Sequence, residues 1–160
     1  MKDGQRSENL EALTFPDELF DLIITQDVFE HVLRPAKAFA EIARTLKPGG
    51  AHVYTVPYYR GKKTVARAVS NGNEGITHLM KPDYHVNPID AAGSLVVTEW
   101  GDKLCDFVFR SSRMTTAIYN FYDPRFGLKG EFLDVLISRK ASVADFVAEP
   151  GRHRVGTEIS

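Results

Sequence analysis

Apolar positions between residues 20 and 57 change rhythm twice, and each change marks an element boundary. Leu22, Ile23 and Ile24 form an unbroken apolar run. That predicts a strand covered on both faces, as in a parallel sheet. Asp27 with Glu30 three residues on has capping-box spacing, which predicts a short helical turn capped by Asp27. Pro35 suits the first position of a helix. Ala36, Phe39, Ala40, Ala43 and Leu46 then recur at helical spacing and give it one apolar face. Lys47 falls in the last turn, Pro48-Gly49-Gly50 stops the helix, and residues 52–56 return to a buried strand ended by Pro57. Strand, helix and strand make one βαβ unit.

Outside this unit the pattern is looser. Leu10, Leu13 and Phe15 begin the apolar material, and Phe15-Pro16-Asp17 marks a turn. Residues 58–89 form a long connection mixing aromatics with Arg60, Lys62, Lys63 and Arg67. A connection of that length serves more often as a lid or binding loop than as a linker. Within it, residues 64–70 are expected to form a short helix. Residues 96–100 are apolar and fit either strand or helix. Asp102 is a suitable N-cap, with Leu104, Phe107 and Val108 following at helical spacing and Cys105 as a small packing residue. Residues 114–122 and 132–138 predict two strands, joined through Asp123-Pro124-Arg125-Phe126-Gly127 as an antiparallel hairpin. One helical turn over residues 143–148 is broken by Pro150-Gly151, so residues 141–160 are expected to be a flexible tail. Residues 1–140 are expected to form a truncated α/β domain.

Composition narrows the partners. With 160 residues, 43% of them apolar and 26% charged, the chain suits one globular domain. A net charge of −1 gives no electrostatic basis for a nucleic-acid or membrane partner. Cys105 stands alone, which excludes an intramolecular disulfide and a cysteine-only zinc site. No apolar run is long enough to span a bilayer, and the first ten residues lack a secretory core, so a cytoplasmic location is the default. His31, His52, His78 and His85 share no ligand spacing, and no metal site is expected.

Three pieces of the chain then carry a resemblance by their order and separation. They are Leu13-Thr14-Phe15-Pro16-Asp17 with Phe20-Asp21-Leu22-Ile23-Ile24, then Asp27-Val28-Phe29-Glu30-His31-Val32, then Leu46-Lys47-Pro48-Gly49-Gly50. Together they resemble the class I S-adenosylmethionine-dependent methyltransferases, in particular their small-molecule methyltransferase-domain branch. The resemblance implies a partial Rossmann-like, doubly wound α/β sheet. Its strands would be equivalent to the fourth, fifth, seventh and sixth of a family sheet ordered 3-2-1-4-5-7-6, ending in the antiparallel hairpin. It also implies S-adenosyl-L-methionine as cofactor and methyl transfer to a small-molecule acceptor. Such transfer is an in-line displacement that rests on positioning, with or without a general base.

Site residues follow by the same resemblance. Asn9 and Leu10 fall where the family meets the adenine; Asn9 offers a donor and an acceptor, and reads equally well as a turn asparagine. Gln26 and Asp27 end the first strand and Pro57 and Tyr58 the second, at the strand ends where open α/β sheets bind ligands. Gln26, Asp27 and His31 are candidates for the cofactor side; Pro57, Tyr58 and His85 are candidates for the acceptor side. His85 is the candidate general base, whereas His31 fits better as a packed ring satisfying a backbone group. The tract Tyr84-His85-Val86-Asn87-Pro88 with Gly93-Ser94-Leu95 is similar to a YHGDP…GSL pattern of some family members.

One departure governs the expectation. The family's glycine-rich GxGxG-type turn and its ribose-binding acid belong ahead of residue 9, and neither has a counterpart. Gly72-Asn73-Glu74-Gly75 follows no apolar strand and does not replace the turn. The chain therefore reads as the C-terminal portion of the fold. Residues 22–25 become an edge with unpaired backbone groups and no lysine or proline guarding it. An N-terminal segment or a second copy is expected there. The alternative is a non-catalytic half-fold that dimerises or binds a partner through that edge.

Overall fold

The computed structural model describes residues 6–72, 75–87 and 90–142. In chain order the elements are β1 (Phe20–Gln26), α1 (Pro35–Thr45), β2 (Leu46–Thr55), β3 (Tyr58–Tyr59), β4 (Val65–Ala66), β5 (Ala68–Ser70) and β6 (Ile76–His78). Then come β7 (Tyr84–His85), β8 (Ser94–Leu95), β9 (Thr98–Gly101), α2 (Leu104–Ser112), β10 (Thr115–Asn120) and β11 (Asp134–Arg139). The main sheet has the order β1-β2-β11-β10. β1 and β2 run parallel, with Leu22 opposite Ala51 and Gln26 opposite Thr55. β11 is antiparallel to both β2 and β10. This is the fourth, fifth, seventh, sixth arrangement expected, hairpin included.

The βαβ unit forms with two adjustments. Ala38, Phe39, Ile42, Ala43 and Thr45 are the buried residues of α1, while Ala36 and Ala40 face outward. The bulk of Phe39 and Ile42 sets the rotation, because an alanine tolerates either environment. The helix also ends earlier than expected, and Lys47-Pro48-Gly49-Gly50 lies inside β2 instead of capping α1. Gly50 is needed there: a Cβ would stand 2.9 Å from the Lys47 carbonyl oxygen and 3.2 Å from that of Asp21. Close approach of two backbones, not a helix stop, is what the glycine serves.

The core lies between the sheet and the two helices. Phe29 stacks on Phe39 with ring centres 4.0 Å apart. Tyr54, Trp100 and Phe107 present edges to Phe39. Leu46, Leu104, Val108, Met114 and Leu136 close the cluster, all fully buried. The N-terminal segment is tied to α1 through the Glu11 and Glu41 carboxylates, which accept the backbone N–H groups of Arg34 and Leu13, each at 2.9 Å.

Three local expectations are corrected. Burial alternates along β1, and Leu22 and Ile24 are 51% and 68% exposed, so the strand is covered on one face only among the described residues. Residues 64–70 are extended, forming β4 and β5 instead of a helix; β4 pairs with β9 and β5 with β6. The Asp102 carboxylate does not cap α2, since it accepts from the Gly61 N–H at 2.9 Å and binds back to the loop after β3. The residues expected to make a turn at 143–148, and the tail beyond them, lie outside the described residues.

Candidate functional site

A cleft of about 650 Å³ opens at the C-terminal ends of β1 and β2. β1 ends at Gln26, and Asp27 then adopts a left-handed conformation, φ 49°. Its N–H donates to the Thr55 carbonyl at 3.1 Å, and its carboxylate accepts from the Thr55 hydroxyl at 2.9 Å. The capping box is not made. Residues 28–34 form turns, one of them closed by the His31 N–H on the Val28 carbonyl. With Asp27 bound across the strand ends, Glu30 is free to turn inward.

Glu30 is 1% exposed, and among the described residues neither carboxylate oxygen finds a hydrogen-bond donor from another residue. Its Oε1 lies 3.7 Å from His31 Nε2 and 3.9 Å from His85 Nδ1. Burial raises its pKa above the usual carboxylate value; its own backbone amide and His31 oppose the rise, and Asp27 adds to it. The Glu30 backbone carbonyl accepts from the Val97 and Thr98 N–H groups, anchoring the turn to the segment leading into β9.

The two histidines reach this carboxylate from different elements. His31 Nδ1 is 2.8 Å from the Leu95 carbonyl oxygen. A carbonyl only accepts, so Nδ1 carries the proton and Nε2, turned toward Glu30, keeps the lone pair in the neutral ring. This is the packed, backbone-satisfying histidine expected. His85 comes from β7, whose hairpin partner β8 places Ser94 opposite it. Gly93 turns that hairpin at φ 79°, and a Cβ there would stand 2.7 Å from the His85 carbonyl oxygen. The two imidazoles meet edge to face, 5.1 Å between centres.

Of the residues singled out from sequence, Gln26, Asp27, His31, Pro57 and His85 all line the cleft. Tyr58 does not; it is buried, its hydroxyl 3.4 Å from Asp102, and it borders a separate hollow with Arg60 and Asp134. Leu10 lies along an apolar groove of about 290 Å³ beside β1, with Leu13, Phe15, Leu22 and Ile24. The Asn9 side-chain oxygen accepts from the Glu11 N–H at 2.9 Å, which is the turn geometry. Arg60 and Arg67 are engaged with Asp134 and Glu99, so half of the basic patch is used within the fold. Glu30 is the cleft residue that sequence reasoning placed elsewhere. Its contacts with His85 lie across the whole βαβ unit, beyond any local spacing.

The sheet order and the strand-end cleft meet a sequence match at this point: residues 2–54 fit the family model described as methyltransferase domain. Over that stretch the chain is similar to part of a methyltransferase domain. A stretch of 42 residues is 50% identical to the ubiquinone/menaquinone biosynthesis C-methyltransferase UbiE of Hydrogenovibrio crunogenus. The match takes in 26% of this chain and spans 16% of that relative's length. The likeness in fold extends further than the sequence match. An S-adenosylmethionine-dependent methyltransferase from Mesorhizobium loti superposes with a TM-score of 0.52 at 16% identity, over 82% of this chain and 67% of that one. The YcgJ protein of Bacillus subtilis gives 0.51 at 16% identity, over 86% and 70%. Among the described residues, no helix is long and apolar enough to cross a membrane.

Proposed function

We propose that this domain takes part in transferring the methyl group of S-adenosylmethionine to a small-molecule acceptor, in a site completed by a glycine-rich segment packed beside β1. The observation that carries this reading is the convergence of Gln26, Asp27, His31, Pro57 and His85 on one cleft at the strand ends. Gln26, Asp27 and His31 face the cofactor, with Leu10 toward its adenine along the groove beside β1. Pro57 and His85 bound the acceptor. An acceptor lone pair forms the new bond to the methyl carbon, and the carbon–sulfur bond breaks with its electrons going to sulfur. The acceptor proton leaves on the His85 side. Holding donor and acceptor in line supplies most of the rate. Residues 1–140 constitute the domain part in this reading, and its place is the cytoplasm.

Labelled cofactor tests this. The chain is joined ahead of residue 6 to the glycine-rich half of a class I methyltransferase domain and supplied with a small-molecule extract. The expected result is label in the small-molecule fraction, reduced about tenfold or more by Asp27→Ala. Cofactor turnover unaffected by Asp27→Ala and His85→Ala would reject the site.

The bare β1 edge favours a second reading, a non-catalytic half-fold that pairs there with another copy. An exposed strand edge bearing Leu22 and Ile24 is a template for pairing. Equilibrium sedimentation separates the two. A dimer of the 160-residue chain that Ile24→Lys converts to monomer, and that gains no methyl transfer from the added half, supports the second reading. A monomer supports the first.

A further inference from the structure

We infer that Glu30, His31 and His85 form a three-ligand site for a divalent transition-metal ion, zinc being the best match, at the inner end of the cleft. One carboxylate and two imidazoles are a borderline-soft donor set suited to zinc. Their donor atoms, one from each residue, all lie within 4.8 Å of one another. Bonds of about 2.0–2.1 Å to a tetrahedral ion put neighbouring donors about 3.3 Å apart. The observed 3.7 and 3.9 Å separations from Glu30 Oε1 close by about half an ångström, and the two imidazole nitrogens, within 4.8 Å of each other, close by up to about 1.5 Å through rotation of the half-exposed His85.

Two further observations point to a cation rather than to packing. First, a buried carboxylate without a donor from another residue is costly, and among the described residues only its own backbone amide and the two imidazoles offer compensation. Second, the Leu95 carbonyl fixes the His31 tautomer so that the lone pair of Nε2 points at Glu30. A metal-bound histidine is oriented in this way, its other nitrogen held by a backbone carbonyl. Sequence spacing missed the set because one ligand comes from the β7–β8 hairpin.

Three protein ligands leave a coordination position, and here it faces the cleft shared with Asp27, Asn87 and Ser94. The inference rests on the proposed methyl transfer for the acceptor, and on geometry alone for the metal. It names the acceptor class: a molecule with a hydroxyl or enolic oxygen at the methylated position. Bound to the ion, that oxygen loses its proton to solvent more readily. The resulting oxyanion attacks the methyl carbon while the carbon–sulfur bond breaks, giving a methyl ether and neutral S-adenosylhomocysteine. His85 then serves the acceptor through the ion.

The test needs neither cofactor nor acceptor. The 160-residue chain is stripped with chelator and titrated with Zn²⁺ by calorimetry and with Co²⁺ by visible absorption. The expected result is one ion per chain with a low-symmetry cobalt spectrum. Glu30→Gln and His85→Ala should each weaken binding by about a hundredfold, and His78→Ala, at an exposed histidine, should not. His85 is half-exposed, so its replacement leaves folding intact, as circular dichroism will verify. Absence of stoichiometric binding, or affinity unchanged in Glu30→Gln and His85→Ala, overturns the inference. Metal binding of this kind in a hybrid that transfers no methyl group would uphold the site and reject the proposed function alone.

Discussion

Phe39→Ala should destabilise the chain by about 3–5 kcal/mol, read as a shift in the urea midpoint at unchanged slope. Phe39 is fully buried at the centre of the aromatic cluster, stacked on Phe29 and edge-on to Tyr54, Trp100 and Phe107. Truncation removes the transfer energy of the ring and leaves a cavity among rigid neighbours that cannot collapse into it. Phe29 is the covalent neighbour of Glu30, so the same change loosens the floor of the cleft. Domains have a margin of only about 5–15 kcal/mol, and this one has an uncovered strand face, so Phe39→Ala should be partly unfolded at room temperature. A loss under about 1 kcal/mol would show that the core is not organised around this ring.

The second large effect is acid sensitivity at His52. This ring is fully buried, stacked on Tyr54 at 4.3 Å, with Nε2 2.9 Å from the Thr25 hydroxyl. Burial pushes its pKa down from 6.5 to about 3. Above 6.5 the ring is neutral in both the folded and unfolded chain, and its contribution is fully present. As pH falls below 6.5 the unfolded chain takes up a proton that the folded chain refuses, and stability declines until about 3. At pH about 4.5 the loss should be about 3 kcal/mol. Replacing His52 by Phe removes this proton, so the drop between neutral pH and pH about 4.5 should be smaller in the variant by that amount. Glu30 acts in the opposite sense, since burial raises its pKa: its contribution is present at low pH and lost as pH rises. Comparing wild type with His52→Phe cancels that term. Equal slopes in the two proteins would mean that His52 titrates normally.

What the sequence discloses depends on how far apart the interacting residues lie. The β1–α1–β2 unit and the β10–β11 hairpin are legible because their apolar runs are local, and the family resemblance orders the four strands correctly. The rotation of α1 is not legible from alanines, which carry little burial preference; Phe39 and Ile42 decide it. Residues 64–70 contain a short apolar pattern that fits helix or strand, and pairing with β9 and β6 resolves it. The misreading of Asp27 is the most instructive. Its spacing to Glu30 suits a cap, but its partner is Thr55, 28 residues away across the parallel strands. Once Thr55 holds Asp27, Glu30 turns into the core and meets His85. Five of the eight site positions expected from sequence nonetheless line the cleft, because strand ends are fixed by the fold. Tyr58 fails since strand alternation turns it into the core, and Asn9 is held in its own turn.

S-adenosylhomocysteine titration tests the central claim most directly. The glycine-rich half of a class I methyltransferase domain is joined ahead of residue 6, and assembly against β1 is verified by protection of the β1 amides from hydrogen exchange. Binding in the micromolar range, weakened about tenfold by Gln26→Ala or Asp27→Ala, is the predicted result. A hybrid with protected β1 amides and no binding heat would contradict the account.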